Sequence, residues 1–133
     1  MNRAHGFVMA AHDGDIVKVR AYLDDGMDLD SPDHFYEGAT ALQLSIYEKA
    51  VHGSSVHGDI ARLLLERGVA PTLGLHLAVI WQQKELVILC LEKGARVNDK
   101  NGYLFTPLQE SESGEHGRDK EIIALLKQAG AKE

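Results

Sequence analysis

Residues 85–94 read ELVILCLEKG, and this stretch decides the fold. It opens on a charged residue, carries aliphatic side chains at helical spacing, and closes on a polar pair and a glycine. Apolar residues recurring every three to four positions mark an amphipathic helix. A glycine that can take positive φ marks where it stops. The same signal stands at 15–26 (DIVKVRAYLDDG), 59–68 (DIARLLLERG) and 121–130 (EIIALLKQAG). Ahead of each lies a short segment built on small or aliphatic residues: GFVMAAHDGD (6–15), TALQLSIYEK (40–49), LGLHLAVIWQ (73–82) and TPLQESESGE (106–115). The repeating unit is therefore a short helix, a loop, a longer helix and a glycine stop. It occurs four times.

The unit resembles the ankyrin repeat, whose signature is T-P-L-H-x-A at a period of about 33 residues. TPL stands at Thr106–Leu108, TAL at Thr40–Leu42, and LHLA at Leu75–Ala78. Four such units account for about 132 residues, nearly all of the 133 present. The resemblance implies an all-α solenoid in one domain, 1–133, with units near 4–34, 35–71, 72–101 and 102–133. Two short β-turn fingers are expected, one in SPDHFYEG (31–38) around Phe35 and Tyr36. The other is DKNGYLF (99–105), where Asn101-Gly102 is a hairpin signal. The closing glycines are unevenly spaced, 42 residues from Gly26 to Gly68, 26 to Gly94 and 36 to Gly130. The second unit thus carries an insertion near 49–57, read as AVHGSSVHG between its helices, while the third lacks most of its finger, Pro71 marking an abrupt helix start. The first unit has lost the TPLH start, and Glu110, Ser111 and Glu112 make the last more polar, as end caps need.

Composition bounds the function. The chain is 44% hydrophobic and 26% charged, enough apolar surface to fold. It has no apolar run long enough to span a membrane, and MNRAHGFVMAAHDGD does not read as a secretory signal. The lone Cys90 fits a reducing compartment, so a cytoplasmic protein is expected. Twenty acidic against fourteen basic residues give a net charge of −6. Nucleic acid is excluded as a ligand on that balance, because phosphate binding needs clustered cations. Acidic runs at 24–33 and 109–115 are solvated surface or steer a basic protein partner.

The expected core is Leu23, Leu42, Ile46, Ile60, Leu64, Leu75, Ala78, Val87, Leu91, Leu108, Ile122 and Leu126. Seven histidines invite a metal reading, but His52 and His57 sit in the insertion with only Asp59 near them. Zinc needs three or four convergent ligands, so that stretch reads as a polar loop, and neither metal nor cofactor is expected. Ser54, His57 and Asp59 are the residue types of a nucleophilic triad strung along one glycine-rich loop, without the rigid framework a triad needs. Cys90, among Ile88, Leu89 and Leu91, reads as a buried, inert thiol. No catalytic residues are expected. The resemblance gives His76 a structural role, with its ring nitrogens bonded to nearby backbone.

In ankyrin repeats the first helices and the fingers line a concave groove that binds proteins. Carried over by position, that groove would hold His12, Asp13, Tyr36, Tyr47, Glu48, Ile80, Trp81, Tyr103, Phe105 and Glu110. Large side chains within a polar rim suit a binding hot spot, although Trp81 and Phe105 could equally fill the space left by the short finger. The reading is a non-catalytic protein-binding module, monomeric, facing a partner with a basic surface. Small acidic proteins of this kind act as inhibitors, including immunity proteins that plug a toxin. A scaffold or regulatory adaptor, a self-associating structural protein, and an enzyme using the histidine-rich insertion remain the alternatives.

Overall fold

A computed structural model describes residues 3–28, 40–101, 103, 105–113 and 119–132. The described residues form eight α-helices and no strand: α1 (Arg3–Asp13), α2 (Ile16–Asp24), α3 (Ala41–His52), α4 (Ser55–Glu66), α5 (Pro71–Ile80), α6 (Lys84–Glu92), α7 (Pro107–Ser113) and α8 (Lys120–Gln128). The described residues are all-α, in four helix pairs. Two compact units divide it, Met1–Val69 and Ala70–Glu133, with two pairs in each. In the first unit, α1 packs on α2 and on α3, α3 on α4, and α2 on α4. The second unit has the same scheme, α5 on α6 and α7, α7 on α8, and α6 on α8. Within each unit, then, first helices stack on first and second on second.

Local chemistry fixes the helix boundaries. Thr40 and Gln43 form a capping box: the Thr40 amide donates to Gln43 Oε1 at 2.7 Å and the Gln43 amide to Thr40 Oγ1 at 3.3 Å. Thr106 and Gln109 repeat it at 2.9 and 3.3 Å. The T-x-L-Q signature is thus a device for satisfying amides that the first helical turn leaves orphaned. The third pair lacks the threonine, and α5 starts instead at Pro71, with no side-chain cap. At the other ends Gly26, Gly68, Gly94 and Gly130 all take positive φ, from 82 to 106°. The next residue then folds back, Met27 to the Tyr22 carbonyl, Val69 to Leu64, Ala95 to Cys90 and Ala131 to Leu126, at 3.0–3.1 Å. This six-to-one bond closes each helix.

Counting back from the glycines locates the core. Four residues before Gly68, Gly94 and Gly130 lie Leu64, Cys90 and Leu126, and eight before lie Ile60, Leu86 and Ile122; all six are buried. Leu91 is the one misplaced core residue: it lies on the flank of α6 and is half-buried, while Leu86, Val87 and Cys90 form the inward stripe. The other expected core residues are buried. In the last pair Ser111 turns inward and its hydroxyl donates to the Leu108 carbonyl at 2.8 Å, as the buried Ser45 does to Ala41 at 2.7 Å. A serine is tolerated in these close contacts because its hydrogen bond is made within its own helix.

The stretch 49–57 is not a loop. Residues 49–52 finish α3, Gly53 and Ser54 make the break, and 55–57 begin α4. Both helices of that pair reach 12 residues, against 11 and 9 in the first pair. Gly53 takes a positive φ of 64°, and Ser54, extended at φ −78° and ψ 115°, caps α4 by accepting the His57 amide at 3.4 Å. The extra residues therefore lengthen both helices. The first finger, 31–38, lies outside the described residues, as does Gly102 of the second. Asn101 takes φ 52°, the sign a type I′ turn demands of its first central residue.

Candidate functional site

In the first unit, helix extension and sequence combine to gather histidines. His12, at the end of α1, has Nδ1 3.2 Å from Asp13 Oδ1 and Nε2 3.2 Å from Glu48 Oε1 on α3. The second Glu48 oxygen lies 3.3 Å from His52 Nε2, one turn further along α3. Of the expected contact residues in this unit, His12, Asp13 and Glu48 are thus brought together. Asp13 is exposed and the Glu48 side chain largely covered, at 13%. Tyr47, at 43% exposure, and Val51, at 45%, share a face of α3 four residues apart. Tyr36 and the acidic residues Asp30, Asp33 and Glu115 lie outside the described residues.

Ser54 and His57, expected on one polar loop, meet at the start of α4. His57 Nε2 donates to the His12 carbonyl at 2.7 Å, so in the neutral ring Nδ1 accepts, here from the Ser54 hydroxyl at 2.6 Å. The ring packs over Gly14, whose positive φ of 77° and missing side chain admit it. The Nε2 bond ties the start of α4 to the end of α1, satisfying a terminal carbonyl that α1 cannot satisfy itself, while Nδ1 bonds within the α4 cap. Asp59 is exposed. No group of three His, Cys, Asp or Glu among the described residues is arranged to hold a metal.

In the second unit Ile80 and Glu110 line one small cleft with Val79, Gln82, Ser111, Asp119 and Ile122, with room for about one water. Trp81 ends α5 half-buried, and its carbonyl accepts the Gln83 side chain at 2.9 Å. Tyr103 and Phe105 are exposed, at 38% and 40%. Tyr103 nevertheless has a neighbour: its ring lies 4.4 Å from that of His76, tilted 31°. His76 is fully buried, and its bonding differs from the expectation. Nδ1 faces the Asn101 side-chain amide at 3.3 Å, while Nε2 has no hydrogen-bond partner. Burial holds the ring below its ordinary titration range, opposed by the Asp99 main chain and by the Asp99 charge. Cys90 is fully buried, and loss of water pushes its thiol up to about 12. Such a thiol carries no thiolate at neutral pH.

Sequence reasoning missed a broad depression of about 460 Å³ on α2, lined by Lys18, Ala21, Tyr22 and Asp25. Beside it the Tyr22 hydroxyl settles against Gly6 of α1, where a side chain at that position would overlap it. Nothing in a periodicity pattern signals such a hollow; the glycine inside α1 was the available clue. Compared with known protein families and with curated proteins, the chain finds no match.

Proposed function

We propose that this chain is a non-catalytic protein-binding module of ankyrin type, acting in the cytoplasm, with Tyr47, Trp81, Tyr103 and Phe105 as its main contacts. One observation carries the reading. Large side chains that folding would ordinarily bury stay exposed on ordered elements, Tyr47 with Val51 on α3, and Tyr103 with Phe105 ahead of α7. Aromatic side chains bring large contact area at little entropic cost, which is why they dominate binding hot spots. Helix α3, capped at Thr40, holds Tyr47 and Val51 in place before binding, so little ordering entropy is lost there on docking. His57 and Ser54 are occupied with backbone, and the Cys90 thiol is buried, so the groups most suited to nucleophilic chemistry serve structure. The net charge of −6 favours a partner with a basic surface. Inhibition is the form of binding we favour for a small acidic chain.

The test is capture from the native host with the tagged full chain. A single partner, held in stoichiometric amount at low salt and released several-fold at 0.5 M salt, is the expected result, because screening weakens charge steering. Loss of the partner's own activity on binding marks an inhibitor, and retention an adaptor. Mass that grows with concentration by light scattering, with no partner captured, would replace this reading with self-association.

A further inference from the structure

We propose that His76 is the proton-sensitive latch that holds the segment carrying Tyr103 onto α5. It deepens the binding reading above by giving that contact residue a regulation. The latch is built on three attachments. The Arg96 amide donates to Thr72 Oγ1 at 3.1 Å. The Asn101 side-chain nitrogen reaches the Thr72 carbonyl at 3.4 Å, the Asp99 carbonyl at 3.2 Å and His76 Nδ1 at 3.3 Å. The Tyr103 ring covers the imidazole. Two carbonyl oxygens can only accept, so the Asn101 group facing them is its NH2, whose two hydrogens are shared among three acceptors when His76 Nδ1 is one of them. In that arrangement the ring is neutral with its hydrogen on Nε2, the nitrogen that has no partner.

Protonation weakens this arrangement. Nδ1 becomes a donor, so it no longer accepts from Asn101 and competes with it for the Asp99 carbonyl, and the charge falls on a fully buried ring that bulk solvent does not reach. The charged groups around the ring come from the latched segment: the Asp99 carboxylate favours the cation, and Arg96, 3.2 Å from that carboxylate, offsets it. On the packed helices, Glu110 of α7 lines the cleft beside Val79 and Ile80, and Lys84 of α6 pairs with Glu121. Burial sets the sign: the closed-state ring titrates below 6.5, its ordinary value. Above that value the ring is neutral whether the segment is closed or open, and the latch is intact. As pH falls below it the open state takes up the proton first, and opening is favoured.

The experiment follows amide exchange and the ¹⁵N shifts of the His76 ring in the intact chain from pH 7.5 to 5.0. At pH 7.5 the ring is expected as the neutral Nε2–H tautomer. By pH 5.0 the protection of the Arg96, Asn101 and Tyr103 amides, corrected for intrinsic rate, should fall by up to about 30-fold, the ratio linkage gives for an open-state pKa of 6.5. The Val87 amide, bonded to Gln83 within α6 at 3.0 Å, should keep its protection over the same range. His76→Gln supplies the second variant, since glutamine stands at the matching positions 43 and 109, and its protection should not change with pH. A His76 ring that titrates at its ordinary value, a flat profile in wild type, or an unchanged fall in His76→Gln would overturn the latch. None of these readouts uses a partner, so capture unaffected by Tyr103→Ala would count against the binding reading alone.

Discussion

Leu64→Ala is expected to lower the stability of the first unit by about 3 kcal/mol, the middle of the range for emptying a fully buried leucine site. Leu64 has no exposed surface, stands four residues before Gly68, and its carbonyl receives the Val69 amide that closes α4. Removing the side chain loses its transfer free energy and leaves a void between helices whose caps limit their collapse. Val17→Ala is the control: it sits in the same unit at 75% exposure, and a surface change of that kind stays within about 0.5 kcal/mol. Urea unfolding followed by circular dichroism measures both. Equal losses for the two would mean that α4 does not bury the stripe assigned to it.

Gly14→Ala is expected to cost about 2 kcal/mol, from two separable sources. At φ 77° an alanine loses roughly 1 kcal/mol or more through its own backbone. Its Cβ would also meet His57 Cε1 at 3.1 Å and Val56 Cγ1 at 3.2 Å, so the ring bonded to the His12 carbonyl must shift. Gly53→Ala isolates the first source, since φ there is 64° and nothing lies within 4 Å of the added carbon. A double-mutant cycle with His57→Ala isolates the ring's share of the second: without the ring, Gly14→Ala should cost less, with only the Val56 contact added to the backbone cost that Gly53→Ala measures. Strict additivity would mean that the lengthened α4 does not brace the end of α1.

The helix pairs were legible because their signals are local. A capping threonine, an aliphatic stripe and a closing glycine each act within one or two turns, so Thr40, Thr106, Gly68, Gly94 and Gly130 could be read directly. Residues 49–57 misled because Gly and Ser cluster there, although only one positive φ is needed to separate two helices and the remaining residues tolerate α-helix. Leu91 misled because aliphatic side chains run from Leu86 to Leu91 without a polar break; distance from the closing glycine selects Cys90 instead. The candidate site was less legible than the fold. His12 and Glu48 are 36 positions apart in sequence, and His76 and Asn101 are 25 apart. Such pairs depend on how helices pack, and no short-range pattern records that. Tyr103 was legible as an exposed aromatic but not as the lid over a buried imidazole.

The central claim is that this chain binds a protein through the aromatic side chains of Tyr47, Trp81, Tyr103 and Phe105, and affinity measured by calorimetry with the captured partner tests it most directly. Wild type and Tyr47→Ala/Trp81→Ala chains would be compared, with unchanged helical content verified for both. The account predicts saturable one-to-one binding by wild type and at least a 30-fold weaker Kd for the variant, the loss of about 2 kcal/mol that defines one hot spot. Equal affinity in the two chains would contradict it.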